Sequence, residues 1–269
     1  MTRSNTYSDN YLDSCTEIIG RVRAQTDAIQ QAAVWCSDTI LAGRMVHVFG
    51  SGHSRMMVEE MWPRYGSFPG WNPIVELSLS FHNLVVGANG QRQAMFLENV
   101  SGLAEQILRN FDLSASDTAI VISSSGCNVV PIEMAAGFKA AGIKVIAIVS
   151  SKHAEPSTSK AASGLKLMDF ADIVLDTGAP MGDAMVEIDG LETPVAPGST
   201  VGGAMLINCI KAETAALLTA AGAPPKVLTA SVVAGPEKST MLFQSAYDEH
   251  AQRIAKLYEN VGNMPGKLE

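Results

Sequence analysis

Two turns rich in serine and glycine carry the residues best suited to holding an anion. They read Gly50-Ser51-Gly52-His53-Ser54 and Ser123-Ser124-Ser125-Gly126-Cys127-Asn128. Each follows an apolar run typical of a buried strand and precedes a helical pattern, so backbone N–H groups and hydroxyls converge at a helix N-terminus. Either turn alone is also typical of a flexible loop. Their joint placement predicts a phosphate site.

The first turn assigns a role to each residue type. Gly50 and Gly52 let the backbone approach a ligand, and Ser54 turns a hydroxyl inward from the first turn of the next helix. His53 can hydrogen-bond a sugar hydroxyl or assist ring opening; the alternative is a polar contact that stabilises the loop. Arg55 stands where a dinucleotide-binding GxGxxG motif has its last glycine.

The second turn supplies the donors for the phosphate. The hydroxyls of Ser123 and Ser125 face its oxygens, and Gly126 with the following amides completes the cradle. Asn128 has two interpretations, a helix N-cap or an amide donor to the ligand. Neither turn has the lysine pattern of a nucleoside-triphosphatase P-loop.

Acid–base chemistry beside such a cradle needs a carboxylate or an imidazole. Glu59 and Glu60 follow Ser54 on the same predicted helix, so one of them can lean back toward the turn. The helix start is not fixed by the sequence, which leaves the two glutamates interchangeable. The alternative for both is a solvated helix edge.

Weaker candidates lie elsewhere in the chain. Ser199 and Thr200 begin an apolar helix and either face the ligand or cap that helix. Arg55 and Arg64 are weak candidates as sources of positive charge, and Glu213 and His153 are further weak candidates. His47 and His250 are expected to be structural.

Composition limits the partners. The 269 residues carry a formal net charge of −8, which argues against non-specific nucleic-acid binding and requires any phosphate to be held locally. The four cysteines form no CxxC pair and no zinc-like cluster, so we predict free thiols in the cytoplasm and no metal or cofactor. No apolar stretch reads as a membrane span, so no membrane partner is expected.

The hydrophobic pattern alternates between strands and helices and predicts a doubly wound α/β fold. We expect five parallel strands in the flavodoxin-like order 2-1-3-4-5, which brings the two turns together where the winding reverses. The predicted strands are 45–49, 74–79, 118–122, 144–149 and 171–175, and the predicted helices are 8–41, 91–111, 130–141, 157–162, 201–221 and 244–258. A hairpin is expected over 184–188 and 193–196.

This pattern divides the chain into three parts. Residues 1–43 form a long N-terminal helical segment whose apolar stripe has no sheet of its own to cover, which suggests dimerisation. Residues 44–225 form the binding domain. Residues 226–269 form a C-terminal helical extension.

The GSGHS turn, the SSSG turn and the strand order resemble the sugar isomerase (SIS) domain. Phosphoheptose isomerase, the isomerase half of glucosamine-6-phosphate synthase and N-acetylmuramic acid 6-phosphate etherase contain this domain. The chain is similar end to end to bacterial stand-alone SIS proteins of unsettled function, through GSGHSRMMVEEMWPRYG, NPIVE, SSSGCNVVPIEMA and GAPMGDAMVEIDGLETPVAPGSTVGGAMLIN.

The resemblance implies a sugar phosphate held by Ser123, Ser125 and Ser54. It also implies a homodimer or homotetramer, with His82 lining the cleft, including from a neighbouring subunit. The usual SIS loop ends in Ser or Thr where this chain has Asn128. Three functions stay open: an aldose–ketose isomerase working through an enediol, a sugar-phosphate lyase or etherase, and a non-catalytic phosphosugar sensor.

Overall fold

The computed structural model describes residues 6–80 and 90–261. Within them lies a five-stranded, all-parallel sheet in the order β2-β1-β3-β4-β5. This order confirms the doubly wound fold expected from the sequence. The strands are β1 Val46–Gly50, β2 Trp71–Ile74, β3 Thr118–Ile122, β4 Lys144–Val149 and β5 Ile173–Asp176.

The strand predictions succeed where the chain is apolar on both faces. β3 and β4 have the expected bounds, whereas β2 lies earlier than predicted, and 77–80 forms a short helix instead. The sequence of β2 contains Pro73, which cannot donate to a sheet ladder. An edge strand tolerates it, and β2 is the edge next to β1.

The predicted long N-terminal helix is wrong, because the structure contains two helices there, α1 Tyr7–Arg23 and α2 Thr26–Leu41. Gln25, at the break, uses its side-chain amide to pair with the edge strand. Its Nε2 donates to the carbonyl oxygen of Asp176 at 2.8 Å, and its Oε1 accepts from the Asp176 N–H at 2.7 Å. These two bonds favour the break over a continuous helix.

The other helices follow in chain order. They are α3 Arg55–Met61, α4 Leu77–Ser80, α5 Gly90–Leu97, α6 Leu103–Leu108, α7 Val129–Ala140, α8 Ser151–Ala154, α9 Ser199–Ala220, α10 Ser231–Ala234 and α11 Pro236–Leu257. The helix expected over 91–111 is divided before Gly102, whose φ is +86°. No helix forms over 157–162. The predicted hairpin is present as β6 Ala184–Val186 and β7 Val195–Pro197.

Helices cover both faces of the sheet. One core packs α1, α2, α3 and α9 on alternate residues of the strands, such as Val46, Val48 and Ile120. The other core packs α6 and α7 on the opposite face, against Phe49 and Val121. The stripe of α1 and α2 therefore covers the chain's own sheet, so the reason given for expecting a second copy there is wrong.

Helix α9 corrects another expectation. It has 22 residues and contains an 18-residue window with a mean hydropathy of 1.3, so by length and composition alone it could cross a membrane. In the structure α9 packs against α2 and α3 and buries eight residues, among them Leu206, Ile207 and Ile210. Its apolar composition is accounted for by this packing in the core.

A buried polar cluster fastens the amino ends of β1 and β3. Arg44 donates to both carboxylate oxygens of Asp117 at 2.7 and 2.9 Å, and His47 Nε2 lies 3.2 Å from Asp117 Oδ2. Burial alone would raise the pKa of Asp117, but hydrogen bonds from His47 and Arg44 outweigh it and hold that pKa below its ordinary value. His47 is structural, as predicted from its place inside a strand.

Asp117→Asn should lower the free energy of unfolding by about 2–4 kcal/mol near neutral pH, because it leaves a buried cation without its charged partner. The depressed pKa means that this stabilisation is complete above about pH 4 and is lost as the pH falls below it. Urea unfolding at several pH values should therefore show the gap to wild type closing in acid. Asp38→Asn, an exposed change, is the control; a gap independent of pH would contradict the assignment.

Candidate functional site

The two turns lie side by side at the carboxyl edge of the sheet. β1 and β3 are neighbours, with Gly50 opposite Ile122, so both chains leave the sheet at the same level. We call residues 50–54 the glycine loop and residues 123–128 the serine loop. The winding direction reverses between these strands, where doubly wound proteins bind ligands.

The serine loop presents unpaired backbone donors. Gly126, with φ +60°, turns the chain and donates its N–H to the carbonyl of Ser123 at 3.1 Å. Within the described residues, four N–H groups have no protein acceptor: those of Ser124, Ser125, Asn128 and Val129. Val129 begins α7, so the last two belong to the N-terminus of a 12-residue helix. Such a set of donors attracts an anion.

The glycine loop requires its glycines. A Cβ on Gly50 would lie 2.7 Å from the Ser54 carbonyl oxygen, closer than any side chain can approach. Gly52 has φ +55°, and a Cβ there would lie 3.2 Å from a carboxylate oxygen of Glu98. The loop then forms a 3₁₀ turn over Gly52–Ser54 that leads into α3.

Glu98 is a site residue that the sequence reasoning missed. It follows α5, is only 9% exposed, and accepts a hydrogen bond from the Asn128 side-chain amide. Its carbonyl oxygen accepts from the Val130 N–H at 2.9 Å. Burial raises the pKa of Glu98, although hydrogen bonds from Ser51 and Asn128 and the charge of Lys160 act in the opposite direction. The carboxyl group therefore connects the glycine loop to the serine loop.

Asn128 stands at the N-cap position of α7 but does not cap it through its side chain. Its Nδ2 donates to Glu98, and its Oδ1 accepts from Lys160 Nζ at 2.8 Å. Lys160 thus brings positive charge to the serine loop.

The two arginines suggested as sources of positive charge have other partners. Arg55 donates to the Ser80 carbonyl at 2.9 Å, and Arg64 pairs with Glu60.

The two glutamates of α3 have different surroundings. Glu59 is exposed. Glu60 accepts from Asn208 Nδ2 at 2.9 Å and from Arg64. Burial tends to raise the pKa of Glu60, but these two hydrogen bonds outweigh it and lower the pKa. Glu60 therefore faces α9, and within the described residues neither glutamate carboxylate hydrogen-bonds to either loop.

The hydroxyl groups near the loops also differ in their partners. Ser124 Oγ hydrogen-bonds to Ser150 Oγ at 3.0 Å, which in turn bonds to Thr177 Oγ1 at 2.7 Å. Ser199 begins α9, as predicted, with Thr200 next to it. The Ser199 hydroxyl donates to Asp183 Oδ2 at 2.8 Å, which gives that helix an acidic side chain at its start.

The histidines are separated in space. His53 is exposed on the glycine loop, while His82 lies outside the described residues. His153 accepts from the Gly182 N–H at 3.0 Å. His250 packs its ring 5.0 Å from that of Trp62, and burial lowers its pKa.

Within residues 6–80 and 90–261 no group of histidines, cysteines and acids could hold a metal ion, and the four cysteines are free thiols.

These features define a doubly wound α/β protein whose serine loop presents backbone N–H donors at the switch point. A SIS domain model matches residues 10–150, which include β1 to β4 and both loops. The chain therefore belongs to the SIS domain family, the phosphosugar-binding class that its sequence resembles.

The chain is also similar to two curated relatives and to one solved structure. A UPF0309 protein of Halalkalibacterium halodurans is 35% identical over 86% of this chain and 94% of its own length. A UPF0309 protein of Streptomyces coelicolor is 34% identical over 84% and 88%. A phosphoheptose isomerase structure from Francisella tularensis is 15% identical, with a TM-score of 0.46, over 77% of this chain and 94% of that one.

Gly52→Ala should destabilise the protein more than Gly66→Ala. Both glycines have positive φ, so each alanine costs about 1 kcal/mol in backbone strain, but only the Cβ at 52 meets Glu98. Thermal unfolding of the two variants measures the difference. Equal losses of stability would show that the Glu98 side chain imposes no steric cost on a Cβ at position 52.

Proposed function

We propose that this protein binds a sugar phosphate through the serine loop and interconverts its aldose and ketose forms. The observation that carries the proposal is a set of four N–H groups, at 124, 125, 128 and 129, that find no acceptor among residues 6–80 and 90–261 and lie at the carboxyl end of β3. A phosphate accepts from several convergent donors at once, and the N-terminus of α7 adds a favourable dipole.

The hydroxyls of the loop complete the recognition. Ser125 Oγ lies 3.4 Å from the Cys127 N and 3.2 Å from Cys127 Sγ, so the side chain stays over its own loop. Ser123 is buried, and its Oγ accepts from the Gly126 N–H at 3.3 Å. In the part of the chain that the structure describes, both hydroxyl groups act only as acceptors, so their protons are available to a phosphate oxygen. Lys160 supplies local positive charge to the serine loop of a chain whose net charge is −8.

The sugar would extend from the serine loop over the neighbouring glycine loop. Isomerisation then needs a carboxylate to move a proton between adjacent carbons, for which the sequence offers Glu59 and Glu60, with His53 or His82 assisting at the sugar oxygens. The reaction passes through an enediol. It requires no metal or cofactor in this proposal.

Ser125→Ala should weaken the binding of a sugar phosphate about tenfold, because the phosphate loses one charge-assisted hydrogen bond. Ser123→Ala should act in the same direction. Calorimetry or ligand-induced thermal shift measures the affinity, with pentose, hexose, heptose and amino-sugar phosphates as probes. Ser116→Ala, at the opposite end of β3 and exposed, is the control. Unchanged affinity in both loop variants would refute the phosphate site.

We also propose a cytoplasmic homodimer or homotetramer. Leu77 and Phe96 are 62% and 72% exposed, and their helices α4 and α5 pack beside the glycine loop. Phe96→Glu should lower the molecular mass measured by light scattering to that of one chain, since it places a charge on this apolar surface. Met241→Glu, on exposed α11, is the control. A wild-type protein already running as a monomer would contradict the proposal.

A further inference from the structure

The geometry points to Glu98 as the catalytic acid–base residue of this site, acting from between the glycine and serine loops. This inference rests on the proposed isomerase function and assigns its proton transfer to a residue that the sequence did not single out. It follows from the position, burial and chemistry of one carboxyl group.

The position of the Glu98 carboxyl group supports this assignment. One carboxylate oxygen of Glu98 accepts from Asn128 of the serine loop, and the other lies against Gly52 of the glycine loop. The absence of a side chain at Gly52 leaves room for this approach. The carboxyl group therefore stands where the two loops meet, next to the unpaired N–H groups of Asn128 and Val129.

The environment suits a base that must remove a proton from carbon. Glu98 is 9% exposed, so little water competes for its oxygens. Burial raises its pKa, which makes the carboxylate a stronger base than one in water. Asn128 and the nearby Lys160 keep the charged form accessible despite the burial.

Burying a carboxylate at this position is energetically costly. It is a negative group beside donors that attract an anion, so its charge adds repulsion and a desolvation cost to this position. Glu60, in contrast, is engaged by Arg64 and Asn208 on the α9 side, and Glu59 is exposed. Among these three glutamates, Glu98 is the one whose carboxyl group contacts both loops.

The proposed step balances within the sugar. The Glu98 carboxylate takes the proton from C2 of the open-chain aldose, the C–H electron pair forms the C1–C2 double bond, and the π pair of the C1 carbonyl moves to the C1 oxygen to give the enediolate. The proton of the C2 hydroxyl passes to the C1 oxygen, and Glu98 returns its proton to C1. The product is the ketose, and the carboxylate is regenerated.

The test is deuterium exchange at the sugar carbon in D₂O, read by mass spectrometry, on pentose, hexose, heptose and amino-sugar phosphates. Glu98→Gln should reduce exchange by at least about 100-fold, the usual contribution of a general base, with the sugar-phosphate affinity changed less than threefold. Glu105→Gln, an exposed change on α6, should match wild type. A role in positioning Asn128 alone would instead lower affinity and exchange together.

Further variants distinguish the failure of the Glu98 assignment from the failure of the proposed isomerase function. Should Glu98→Gln fold poorly, Glu98→Ala with added formate serves in its place, and formate should restore exchange because it supplies the missing carboxylate. Normal exchange in Glu98→Gln, or loss of exchange in Glu59→Gln or Glu60→Gln alone, overturns the assignment while leaving the isomerase function intact. Wild type that binds the sugar phosphates but exchanges none of them overturns the isomerase function and this inference with it.

Discussion

The rest of the site depends on the fact that β1 and β3 are neighbouring parallel strands and end at the same height in the sheet. Their register sets Gly50 opposite Ile122, so the loops that follow cannot separate. Backbone N–H groups then leave the sheet without strand partners, and α7 begins before they can be paired. Unpaired donors at a helix start are costly to bury and are best satisfied by a bound anion or by water.

The same edge of the sheet holds a negative charge of its own. Glu98 occupies some of the hydrogen-bonding capacity of Ser51 and Asn128, one residue in each of the two loops. A carboxylate and a phosphate in one cleft repel each other, so each raises the proton affinity of the other. In the proposed complex, phosphate binding would therefore be coupled to the protonation of Glu98.

Strands buried on both faces, and the loops after them, could be predicted from sequence because continuous apolar runs between turn residues have few other interpretations. β3 and the serine loop are examples. Glu98 could not be predicted as a site residue from sequence. Its burial depends on the contact between the end of α5 and the start of α7, two segments that are about 30 residues apart in sequence. Gln25 was missed for a similar reason: its helical pattern is unbroken, and only its pairing with β5 shows why α1 ends.

That pairing has a consequence for how copies of the chain can associate. β5 is an outer strand, and an outer strand offers free peptide groups to which a further strand can be added. The Gln25 amide occupies both the donor and the acceptor of Asp176, imitating the backbone of a sixth strand. The Gln25 amide thus blocks the peptide group of Asp176 at the carboxyl end of this margin, so a neighbour's strand could not pair with the sheet at that residue.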